Sequence, residues 1–89
     1  MIDWNSYDQS TQVQQVLVSE LSHKPIEKLY AFAQREKMEC SHPVDNLIYC
    51  SIVVSSHLAL TKKKWLIEVQ VMDGGTIGAI DVRAGYIGP

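Results

Sequence analysis

The chain has 89 residues, 46% of them hydrophobic, and a formal net charge of −2. That length supports one hydrophobic core, so a single compact domain is expected over residues 1–89. The weak acidity supplies no global positive field to gather a nucleic-acid backbone, and the longest apolar stretch, Leu47 to Val54, is far short of the roughly 20 residues of a membrane-spanning helix.

Met1-Ile2-Asp3-Trp4 is acidic and lacks the basic-then-apolar order of a secretory signal. A soluble, cytoplasmic protein is therefore expected, with Cys40 and Cys50 as reduced thiols. Trp4 and Tyr7 mark the stretch from Met1 to Asp8 as an arm that packs back on the domain. Ser10 or Thr11 can cap a first helix running to about Ser22, with Val13, Val16, Leu17 and Leu21 along one face. Lys24-Pro25 breaks it, and Pro25 suits the first turn of a second helix. That helix carries Ile26, Leu29, Tyr30 and Ala33 on its inner side and stops near Met38.

The segment from Pro43 to about Leu60 reads two ways. As a strand it places Ile48, Cys50, Ile52 and Val54 on one face, and its β-branched run favours extended structure. As a helix it is capped by Ser41 or Asp45 and ends at Lys62-Lys63-Lys64, which suit the negative end of the dipole. Its length exceeds the five or six residues typical of a strand, which favours the helix.

From Trp65 onward the pattern is that of a β-hairpin. Trp65, Ile67, Val69 and Val71 alternate, Asp73-Gly74-Gly75 interrupts, and Ile80, Val82 and Ala84 resume the alternation. Asp-Gly and Gly-Gly both tolerate the positive φ of a tight hairpin turn. A turn at Asp73-Gly74 sets Ile67 against Ile80. A turn at Gly74-Gly75 sets Val69 against Ile80, but also Glu68 against Asp81, and like charges directly opposed are unfavourable. The first register is preferred. The fold class expected is α+β: three helices followed by a C-terminal antiparallel hairpin, or two helices with a three-stranded meander.

No constellation of catalytic residues emerges. Cys40, His42, Cys50 and His57 are zinc-ligand types, but on a helix Cys50 and His57 lie about 10.5 Å apart along the axis, too far for one ion. Ser41, Ser51, Ser55, Ser56 and His57 form no Gly-x-Ser-x-Gly elbow. Gly74-Gly75-Thr76-Ile77-Gly78 lacks the Gly-Lys-Ser/Thr ending of a phosphate loop. No metal, no cofactor and no enzymatic activity are expected.

Three helices and a hairpin also make up the winged helix. The stretch from Val16 to Val54 resembles winged-helix transcription factors in element order, with Pro25 opening a second helix and Ser41-His42-Pro43 preceding a third. That resemblance implies a third helix in the major groove and a hairpin on phosphates. The third segment, however, offers no Arg, Lys, Asn or Gln array beyond Asn46 to read base edges. The favoured expectation is a small protein-binding module. Its profile is that of an inhibitor acting by direct contact, such as an immunity protein, an antitoxin or a phage counter-defence protein. Surplus apolar residues (Tyr49, Val53, Leu60, Leu66, Met72, Tyr86 and Ile87) supply a contact surface. The expected partner-binding residues are Lys62, Lys63 and Lys64 for charge, with Arg83 able to join them, and Tyr49, Leu66 and Tyr86 for apolar contact. The expected partner is another protein or a second copy, with nucleic acid and membrane disfavoured.

Overall fold

The computed structural model describes residues 2–54 and 62–87. A short 3-10 turn (Trp4–Ser6) precedes α1 (Ser10–Leu21) and α2 (Ile26–Glu36). Four strands follow: β1 (Glu39–Cys40), β2 (Leu47–Val54), β3 (Lys62–Met72) and β4 (Thr76–Ile87). They pair in chain order as one antiparallel sheet. The α+β class is as expected. The three-helix count is not, and the two-helix alternative lacks only the short β1.

Both helices form where their apolar spacing places them. Val13, Leu17 and Leu21 recur every four residues and are buried, with Val16 half-buried beside them. The start of α1 is capped by the Gln12 side chain, whose Oε1 accepts from the Asp8 and Gln9 amides at 3.0 Å each. Pro25 stands just before α2, and Lys37 ends it in the left-handed region at φ 59°. Leu29, Phe32 and Ala33 turn inward. Trp4 lies in the same core and meets Phe32 edge-on at 6.1 Å between ring centroids, so the N-terminal arm packs back as expected.

The third segment is a strand, and the helix expected there is overturned. Asp45 and Asn46 both take positive φ, 52° and 63°. Val44 and Leu47 exchange hydrogen bonds of 2.9 and 3.0 Å around them. Asp and Asn are the residues that tolerate this geometry best after glycine. They reverse the chain, so the segment divides into a turn and β2 instead of forming one long element. Ile48, Cys50, Ile52 and Val54 then alternate into the core. The continuation to Leu60 lies outside the described residues. With β2 where a third helix was expected, the described residues do not follow the winged-helix order of elements.

The short β1 brings Cys40 directly opposite Cys50, and the two are joined as a disulfide. The reduced-thiol expectation fails because only this pairing, invisible in the linear spacing, places the two side chains together.

The β3–β4 hairpin exists, but its preferred register is overturned. Val69 faces Ile80, Ile67 faces Val82, and Glu68 faces Asp81. The turn spans Asp73-Gly74-Gly75, with both glycines at positive φ, 85° and 79°. The pairing shifts between Val69 and Val71, so β4 carries an extra residue there. Gly78 fits at that shift because a Cβ would lie 2.7 Å from Met72 Sδ. The bulge has a clear physical reason. Ile77 and Ile80 are three apart and would face opposite sides of a regular strand, yet both are buried. Burying such a side chain is worth about 1.5–3 kcal/mol, whereas an exposed like-charge pair costs at most about 1 kcal/mol.

The α1–α2 linker also joins the sheet. His23 N–H donates to the Ile77 carbonyl (3.0 Å), Ile77 N–H to Lys24 (2.8 Å) and Ile26 N–H to Gly75 (3.0 Å). Farther along, the Gln14 amide donates to the Ile80 carbonyl at 2.8 Å. The helices thus cover the core face and clasp the turn end of the β4 edge.

Candidate functional site: the open face of the sheet

Side chains that alternate with the core residues point to the opposite side of the sheet. Three rows cross β2, β3 and β4 there: Tyr49–Glu68–Asp81, Ser51–Leu66–Arg83 and Val53–Lys64–Gly85. None of the described helices covers this face. Tyr49 is 52% exposed and Val53 54%, high values for large apolar groups on a regular strand. Tyr49, Leu66, Glu68, Asp81 and Arg83 line a shallow trough of about 510 Å³.

The structure divides the expected partner-binding residues. Tyr49, Leu66, Lys64 and Lys62 share the open face. Lys63 and Tyr86 are paired with each other across β3 and β4 on the other side of the sheet. Lys63 is engaged: its ammonium sits 4.0 Å from the Trp65 ring centroid and donates to the Asp8 carbonyl at 3.3 Å. Trp65 itself is fully buried, with its indole N–H unpartnered. The lysine run begins a strand and does not end a helix, so successive ammonium groups diverge. Tyr86 is 70% exposed. Leu60 and His57 lie outside the described residues.

In the sequence alone Glu68 and Asp81 read as solvated charge on the polar side of the hairpin. Their signal was the Gly74-Gly75 register, which places both acids beside Tyr49. Among the described residues the one ion pair is Arg35–Glu36 at 2.9 Å. Lys64, Glu68, Asp81 and Arg83 therefore form no ion pair with any described residue. The face offers apolar contact and unneutralised charge. Cys40 and Cys50 are consumed by their disulfide, and Ser41 Oγ accepts from the Tyr49 amide at 3.1 Å as part of the β1–β2 turn. Among the described residues no three metal-ligating side chains converge.

A buried carboxylate lies on the opposite side of the molecule. Glu36 is 4% exposed and accepts from Ile2 N–H (2.9 Å), the Trp4 indole (3.1 Å) and Arg35 (2.9 Å). Burial pushes its carboxyl up, but these hydrogen bonds and the Arg35 charge outweigh burial and hold it below the usual range. Its partners make it a structural lock on the N-terminal arm. Tyr30 is raised by burial, and its hydroxyl donates to the Ser41 carbonyl at 2.9 Å.

Compared with known proteins, the chain matches no family model, no curated protein and no solved structure. Function therefore has to be argued from this face.

Proposed function

We propose that the chain is a small protein-binding module that works by direct contact through the open face of its sheet. An inhibitor of the immunity, antitoxin or phage counter-defence type is the form we favour. The carrying observation is exposed Tyr49 and Val53 beside half-buried Leu66 on a regular three-strand surface. A face of this kind, with an apolar centre and charged surroundings, has the composition of a protein interface. Lys62 and Lys64 add charge to it. Lys63 and Tyr86 serve a second, smaller contact on the far end of the β3–β4 ribbon.

The Cys40–Cys50 bond is of a kind found in oxidising compartments. A cytoplasmic location, as read from the N-terminus, holds only for a chain that keeps its fold with both thiols reduced.

The test is a photo-reactive amino acid placed at Tyr49 and, as a control, at Gln15 on the exposed side of α1. Irradiation in the native host should give a stoichiometric adduct with a single protein species from position 49 only, and Leu66→Asp should abolish it. Equal labelling from both positions, or an adduct that survives Leu66→Asp, would remove the proposal.

A further inference from the structure

The reading of the open face as a protein-binding surface leaves its occupant unnamed, and the residue order on that face identifies one. Along β3 the outward side chains run Lys64, Leu66, Glu68, positive at one end, apolar in the centre, negative at the other. Along β2 they run Tyr49, Ser51, Val53 in the opposite sense. The β3 order is unchanged when the strand direction is reversed and the charges are exchanged, and the β2 order keeps an apolar residue at each end. We infer that the face pairs with a second copy of this chain, about a two-fold axis lying along the Ser51–Leu66–Arg83 row.

The geometry follows from strand dimensions. Successive outward side chains on a strand are about 6.7 Å apart, so reversal about Leu66 brings Lys64 over the partner's Glu68. The same operation sets Tyr49 over the partner's Val53, apolar on apolar, and Leu66 against the partner's Leu66. It also resolves the opposed acids. Lys64 and Gly85 share a row, as do Glu68 and Asp81. The partner's Lys64 therefore arrives in front of two carboxylates, with only glycine beside it. Arg83 lies on the axis and faces the partner's Arg83, with one Asp81 carboxylate from each copy a row away on either side. Two sheets stacked about 10 Å apart, crossing at about −30°, accommodate these pairings in the manner of a β-sandwich. An isologous contact of this kind closes at two copies and does not propagate.

The inference rests on the protein-binding reading of this face, and charge exchange tests it separately. Sedimentation equilibrium of the wild type across a concentration series should show conversion from monomer to dimer. K64E and E68K should each weaken the dimer by about tenfold or more, because each places like charges together twice. The double variant K64E/E68K should restore it, and an equimolar mixture of the two single variants should form a heterodimer. Circular dichroism establishes that the variants remain folded. A wild type monomeric at millimolar concentration overturns the inference, as does a dimer indifferent to both single exchanges or a mixture of single variants that stays monomeric. A monomer whose position 49 still cross-links one host protein removes the second copy and leaves the protein-binding reading standing. A face that captures neither removes both.

Discussion

The Glu36 carboxylate accepts a hydrogen bond from the Trp4 indole N–H at 3.1 Å, tying the end of α2 to a side chain 32 residues earlier. Because its carboxyl is held below the usual range, the contribution to stability is complete above the unfolded value and is lost as pH falls through the folded one. Glu36→Gln keeps an acceptor for Trp4 and Ile2 but surrenders the charge. It should cost about 1–2 kcal/mol at neutral pH and flatten the acid limb of the stability profile. Urea titrations at a series of pH values check both, and parallel profiles for wild type and variant would refute the assignment.

The disulfide closes a loop with a sequence separation of 10. Chain-entropy arguments give about 2–3 kcal/mol for a loop of that size. Reduction, or the double change Cys40→Ala/Cys50→Ala, should lower the urea midpoint accordingly while leaving the helices formed. An unchanged midpoint would show that β1 is held by its backbone alone.

The two turn glycines and Gly78 should differ in kind. A Cβ at Gly74 or Gly75 meets nothing within 4 Å, but both have positive φ. Alanine at either should cost about 1 kcal/mol in backbone strain. At Gly78 the obstacle is the Met72 thioether end, half-exposed and free to swing aside, so alanine should cost less than at the turn. Thermal melts of the three variants decide the order.

Lys63→Gln should lose the ring contact, a cost of about 0.5–1 kcal/mol, and should change Trp65 fluorescence. Lys62→Gln, one residue earlier and exposed, should do neither. Equal behaviour of the two variants would contradict the divergence of the lysine run.

Much of this architecture was legible in the sequence. Val13, Leu17 and Leu21 announce α1, and Trp65, Ile67 and Val69 announce β3, because periodicity is a local property. What escaped was set by pairing. Asp45-Asn46 looks equally like a helix cap and a hairpin turn until β2 has a neighbour. The bulge near Gly78 exists so that Ile77 and Ile80 can both enter the core. The disulfide depends on β1, too short to register as a pattern. The candidate site followed the same rule. Tyr49, Leu66 and Lys64 meet on one face, whereas Lys63 and Tyr86 fall on the other because a strand turns over with every residue. Glu68 and Asp81 meet only in the Gly74-Gly75 register, which the sequence disfavours because it opposes like charges.

The hydrogen bonds between His23–Ile26 and Gly75–Ile77 join positions separated by more than half the chain. Those bonds cannot form until the helical third lies beside the hairpin. Long-range closure of this kind slows a chain's folding relative to the formation of its helices alone.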